Sequence, residues 1–159
     1  MEVLLLGPLE VRDRGRALTV PGSRPRALLA LLALNAGRVM PAQRLIELLW
    51  GDDVPRSAAN ALQVHISTIR KVLEPRGQPY RTLLSDGSGY VLKIDPDQLD
   101  CAQFEQLVDQ GHKALKRGEV ALSTQLLEAV MSRADEQHID RDLPVPADTH
   151  DGALLQYTQ

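Results

Sequence analysis

The chain holds a single cysteine, Cys101, in 159 residues. One thiol cannot build an internal disulfide framework, which fits a reducing compartment. The opening MEVLLLGPLEV has no basic stretch before its apolar run and breaks at Gly7-Pro8, so a secretory leader is not expected. The leucine-rich run Ala27–Ala36 is far shorter than the roughly 20 residues a membrane helix needs, and Arg24 and Arg26 precede it. A glycine-rich phosphate loop and a paired-carboxylate site are both missing. Cys101 and His112, nominally a nucleophile and a base, stand eleven residues apart on one expected helix, about 16 Å along its axis, too far to meet. His138 and His150, with Asp135, Asp140, Asp142, Asp148 and Asp151, match no closed set of metal ligands. The expectation is a cytoplasmic protein that is not an enzyme, takes no metal or other cofactor and engages no membrane.

What is present is a globular composition, 43% hydrophobic and 25% charged, in a chain long enough for one full domain and a small second unit. The net charge of -3 averages two unlike parts. Residues 1–94 carry 13 Lys/Arg against 8 Asp/Glu, whereas residues 95–159 carry 5 against 13. A basic first part joined to an acidic second part is the pattern of a DNA-binding module with a protein-facing appendage.

The order of elements supports that division. MEVLLLGPLEV and RALTV read as short strands joined at Asp13-Arg14-Gly15. Pro21-Gly22-Ser23 stops the sheet, Ser23 is placed to cap a first helix, and Gly37 ends it. After a brief pairing stretch at Arg38–Met40, Pro41 opens a second helix with Leu45, Leu48 and Leu49 on its apolar face. Trp50-Gly51-Asp52-Asp53-Val54-Pro55 connects to a third helix that stops near Glu74-Pro75. Thr82–Leu84, a tip at Ser85–Gly89 and Tyr90–Ile94 make a hairpin. The fold class expected is therefore α+β: a winged helix-turn-helix over residues 1–94, with an N-terminal sheet, three helices and a C-terminal hairpin wing. Residues 95–130 read as an all-α antiparallel helix pair turning at Arg117-Gly118, resembling one tetratricopeptide-type unit, with Gly111, Ala114 and Ala121 at a close helix contact. One such pair has too small a core to stand alone and must lean on the winged part or on another subunit. Residues 131–159 read as a polar tail with little order.

The third helix carries the functional signal. At about 100° per residue, Leu62, Ile66, Ile69 and Leu73 form one apolar stripe, and Asn60, Val64, Ser67, Thr68 and Lys71 lie opposite. That second face, with Gln63 beside it, holds amides, hydroxyls and cations around one valine and no acid before Glu74. A major groove offers acceptors to Asn and Lys, and a thymine methyl to Val64. Arg70 flanks the face and is placed for a phosphate, as is Arg24 at the start of the first helix. A helix packed on one side and solvated on the other is the plainer alternative.

Several segments then match one family in order. LLGPLEV, PRALLALLALNAGRVM, LIELLWGDD-P, ALQVHISTIRKVLEP and GSGYVLKI resemble the OmpR-type winged helix. The stretch from Asp100 and Phe104 through Ala121 resembles part of the bacterial transcriptional activator domain. Together they resemble the Streptomyces antibiotic regulatory proteins (SARPs), activators of secondary-metabolite clusters. The resemblance implies a regulator that binds promoter direct repeats on double-stranded DNA, as a homodimer on DNA, and recruits RNA polymerase through its sigma factor. It places His65 where this fold donates to a phosphate, a half-buried structural histidine being the alternative, and puts Asp52 and Asp53 on the loop that meets polymerase. Related wings often carry Arg at the tip, where this chain has Asp86, so that Arg81 and Tyr90 at the wing base are the DNA-contact candidates. Asp86 and the short second unit keep open an alternative, a protein-interaction module or antagonist that does not bind DNA.

Overall fold

The computed structural model describes residues 1–74 and 80–136, and it resolves the opening run into two strands rather than one. Strands β1 (Glu2–Leu4), β2 (Glu10–Asp13) and β3 (Arg16–Leu18) form an antiparallel sheet in sequence order. Pro8, with a fixed φ and no N–H to give a ladder, lies in the connection between the first two. Val3 pairs with Val11 and Val11 with Leu18, so one face of the sheet alternates into the core, where Val3 and Val11 are buried. The turn falls where expected, with Arg14 and Gly15 both at positive φ, as a two-residue hairpin loop requires.

Three helices follow, α1 (Ser23–Leu34), α2 (Ala42–Trp50) and α3 (Ala58–Leu73). The cap of α1 is Gly22 and not Ser23, which is the first helical residue and makes no capping hydrogen bond. Gly22 sits at φ 90, a conformation that glycine adopts without strain. Helix α1 stops at Leu34, and the N–H of Gly37 donates to the Leu92 carbonyl at 2.9 Å, fastening the helix end to the wing. Pro41 does not open α2: it belongs to β4 (Met40–Pro41), which pairs with the wing. The core is built from Leu28, Leu29 and Leu32 of α1, Leu45 of α2, and Leu62, Ile66 and Ile69 of α3, all essentially without exposed surface. Helix α3 buries the stripe its periodicity called for, Leu73 included.

The wing is β5 (Leu83–Asp86) and β6 (Gly89–Leu92), with β6 in the middle of a three-stranded sheet between β4 and β5. Its tip is tighter than the expected Ser85–Gly89, because Ser85 pairs with Tyr90 and Asp86 with Gly89, leaving only Gly87-Ser88 as the loop. Gly89 faces Pro41 across the sheet, and a Cβ on it would lie 2.3 Å from the Met40 carbonyl oxygen. No side chain fits there.

A short 3-10 turn (Pro96–Gln98) leads to α4 (Asp100–Lys116) and α5 (Val120–Glu136), which pack as an antiparallel pair. The pair leans on the winged part. Leu99 bridges to Val3, and the Asp100 carboxylate accepts the N–H of Leu5 at 2.8 and 2.9 Å and of Leu6 at 3.0 Å. Ala114 and Gly111 are buried at the helix contact as expected. Ala121 is exposed instead, and Ser123 takes the buried position. Leu115, Leu122 and Leu127 of the pair are 54%, 44% and 41% exposed. The period of a helix names a face, whereas only a neighbour decides whether that face is covered. Helix α5 runs to Glu136, past the expected end of the pair at residue 130. Residues 137–159, with His138 and His150, lie outside the described residues.

Candidate nucleic-acid interface

Helix α3 presents Asn60, Gln63 and Lys71 as exposed side chains, with Val64 62% exposed, on the side away from the buried stripe. From Asn60 to Lys71 this face extends about 16 Å, three helical turns. Val64 is thus an exposed β-branched residue among polar ones, opposite the buried Leu62, Ile66 and Ile69. Ser67 and Thr68 are half-buried, and the Thr68 hydroxyl donates back to the Val64 carbonyl at 3.0 Å. Its proton is thereby used within the helix, so that toward a ligand Thr68 can act only as an acceptor or a methyl.

Three aromatic and cationic groups that stand far apart in the chain meet beside this face. The Trp50 ring, at the end of α2, stacks on His65 of α3 with centroids 6.0 Å apart and planes 19° from parallel. Arg24, in the first turn of α1, places its guanidinium carbon 5.7 Å from the Trp50 ring centre. Burial pushes the His65 pKa below its ordinary value, and the Arg24 charge lowers it further. The shift favours the neutral imidazole, which has one ring N–H to donate. Arg56, which the sequence pattern did not single out, is exposed on the approach to α3.

The wing residues separate. Arg81 is exposed at the base of β5, but Tyr90 is half-buried in the central strand and packs against the core. Asp86, the last residue of β5, is exposed beside the tip. Arg70 does not point freely to solvent: its Nε donates to the Leu83 carbonyl at 2.9 Å and an Nη to Ser85 Oγ at 3.0 Å. One turn later Glu74 accepts the backbone N–H of Arg81 at 2.9 Å and that of Thr82. Burial raises the Glu74 pKa, but the N–H groups of Thr82 and Arg81 outweigh it and bring the carboxyl below its ordinary range. Asp52 and Asp53 are exposed between α2 and α3, just after Gly51 turns the chain at φ 57. Among the described residues no group of His, Cys, Asp and Glu is arranged to hold a metal ion, and no helix is long and apolar enough to cross a membrane.

A helix-turn-helix whose second helix offers a basic, acid-free outer face, followed by a hairpin wing packed at its side, defines the winged-helix class of transcriptional regulators. Residues 19–92 match the family described as "Transcriptional regulatory protein, C terminal". The chain is supported as a SARP-family regulator by its matches to curated regulatory proteins. It is 35% identical over 130 residues to the regulatory protein DnrI of Streptomyces peucetius, covering 78% of this chain and 48% of DnrI. It is 37% identical over 131 residues to the transcriptional regulator RedD of Streptomyces coelicolor, covering 80% of this chain and 37% of RedD. The fold is also that of Mycobacterium tuberculosis EmbR, solved with a low-affinity phosphopeptide, at a TM-score of 0.76 and 28% identity over 82% of this chain and 35% of EmbR. The chain thus spans half or less of the length of these relatives.

Proposed function

We propose that this chain is a sequence-specific, cytoplasmic DNA-binding activator of secondary-metabolite genes that reads promoter direct repeats as a side-by-side pair of protomers. The observation that carries the reading is the exposed α3 face of Asn60, Gln63, Val64 and Lys71, set opposite a fully buried stripe and free of acid. Inserted in a major groove, Asn60, Gln63 and Lys71 address base edges and Val64 a thymine methyl, while Ser67 and Thr68 line the edge of the contact. Arg24 and the neutral His65 beside Trp50 supply phosphate contacts that fix the register without reading sequence. Arg81 extends the contact from the wing base. Residues 1–94 form the DNA-binding domain in this reading. The α4–α5 pair is a partial, tetratricopeptide-like activator domain that contributes rigidity or dimer contacts. Asp52 and Asp53 offer a basic sigma-factor surface two exposed carboxylates.

The test is footprinting over a cluster promoter, followed by a salt titration of affinity for the protected duplex and for a scrambled duplex of equal length. Preferential protection is expected, with log affinity falling by about 0.9 per phosphate contact for each unit of log salt. Equal affinity for both duplexes across the titration refutes sequence recognition. That result favours the second reading, a protein-interaction module or antagonist of a longer regulator, which the exposed Asp86 supports by placing negative charge where a wing approaches phosphate.

A further inference from the structure

One side of the last turn of α3, the side that carries Arg70, is turned toward the wing. Arg70 spends its side chain on three residues of one segment: the Leu83 carbonyl at 2.9 Å, Ser85 Oγ at 3.0 Å, and the Tyr80 ring, 4.6 Å from the guanidinium carbon. Glu74, the extended residue that caps the C-terminus of α3, accepts the N–H groups of Arg81 and Thr82. Two side chains at the C-terminal end of α3 thereby hold residues 80–85 along their length. Leu83 is buried and anchors the base of the wing in the core, but Ser85 is exposed, next to Asp86 and the Gly87-Ser88 tip. At Ser85 the planar fork of Arg70 is the bond that ties the outer part of β5 to α3. A guanidinium bonded through two edges to a strand and lying over a ring is pre-organised and is not swinging free to find a phosphate.

We propose that Arg70 is a positioning residue, a clasp that sets the angle between the recognition helix and the wing so that both meet the duplex in one rigid arrangement, with Glu74 securing the base. Its contribution to affinity passes through the wing and not through neutralisation of a phosphate by its own charge. This rests on the DNA-binding reading above.

Lysine separates the two roles. Arg70→Lys keeps the positive charge, and so keeps a phosphate contact, but an ammonium cannot bridge the Leu83 carbonyl and Ser85 Oγ in a plane or stack on Tyr80. The full chain and the duplex protected in the footprint are used, with Arg70→Lys, Arg70→Ala, Ser85→Ala and Arg81→Ala measured at a temperature where circular dichroism shows each folded. The clasp predicts that Arg70→Lys and Arg70→Ala weaken binding alike, on the order of tenfold, and that Ser85→Ala, which alters no charge, weakens it in the same direction by less. It also predicts that hydroxyl-radical protection under the wing fades while protection under α3 persists. In the Arg81→Ala background the further cost of Arg70→Ala should shrink, since both act through the wing. If Arg70→Lys binds like wild type while Arg70→Ala does not, with the two alanine effects additive and Ser85→Ala silent, Arg70 is a phosphate contact and the clasp is overturned. Were Arg70 variants to misfold, a silent Ser85→Ala would overturn it by itself. A wild-type chain that protects no duplex brings down the DNA-binding reading instead, which is a separate outcome.

Discussion

Asp100→Ala should partly release the helix pair from the winged part. Asp100 is 7% exposed, and its carboxylate accepts the N–H of Leu5 through both oxygens at 2.8 and 2.9 Å and that of Leu6 at 3.0 Å. It also accepts the N–H of Cys101 at 2.7 Å, at the start of α4. Each hydrogen bond to a charged group contributes about 1.5–3 kcal/mol, and leaving buried donors unsatisfied forfeits that amount. Leu5 and Leu6 are only half-buried, so water recovers part of the loss. A net cost of roughly 2–4 kcal/mol follows for alanine. Asn retains one acceptor oxygen and turns an amide NH2 toward donors, so Asp100→Asn should fall between alanine and wild type. At about 2–4 °C per kcal/mol for a chain of this size, alanine should lower Tm by roughly 5–12 °C. Hydrogen exchange should locate the loss, with amides of β1 and of the first turns of α4 gaining exchange before those of α1 to α3. An Asp100→Ala protein that melts within about 1 °C of wild type, with α4 exchange unchanged, would show that Leu99 and the apolar contacts hold the pair without the carboxylate.

Val64→Ser should leave Tm nearly unchanged, because the side chain is 62% exposed, while reducing discrimination at one base pair by about 1 kcal/mol in binding to single-substituted duplexes. Uracil in place of that thymine should cost wild type a similar amount and the serine variant almost nothing; a large fall in Tm would instead make Val64 a core residue. Gly89→Ala should lower stability by at least about 2 kcal/mol in denaturant unfolding, since its Cβ would stand 2.3 Å from the Met40 carbonyl oxygen and β4 must move. A near-neutral Gly89→Ala would show that the β4–β6 pairing is dispensable. For His65, whose pKa is depressed in the fold below the ordinary 6.5, the unfolded chain takes up the proton first as pH falls through that value. Stability attributable to His65 should therefore decline on acidification from about 6.5 until the folded-state pKa is passed. The difference curve between wild type and His65→Gln in pH-resolved melts should show that slope; a flat difference would mean that burial and the Arg24 charge do not perturb the imidazole.

Periodicity and turn chemistry are local properties, and what depended on them was legible from the residues alone. The buried stripe of α3 and its exposed opposite face follow from the 3.6-residue repeat in ALQVHISTIRKVL, the first turn from Asp13-Arg14-Gly15, and the wing from two β-prone runs around the Gly-rich stretch Ser85–Gly89. Boundaries shifted where a neighbour competed with local preference. Pro41 suits a first helical turn, but strand β6 offers it a pairing partner at Gly89, and Ser23 yields the cap of α1 to Gly22, whose φ of 90 the incoming chain requires. The tertiary structure alone decided which side chains meet. Arg24, Trp50 and His65 come from three helices, Arg70 reaches Ser85 from another element, and Asp100 meets Leu5 across 95 positions of chain. A side chain's chemistry can be read in its letter, but its partner is set by how the layers pack. Arg70 therefore read in sequence as a residue placed for a phosphate, whereas in the folded chain it bridges α3 to the wing.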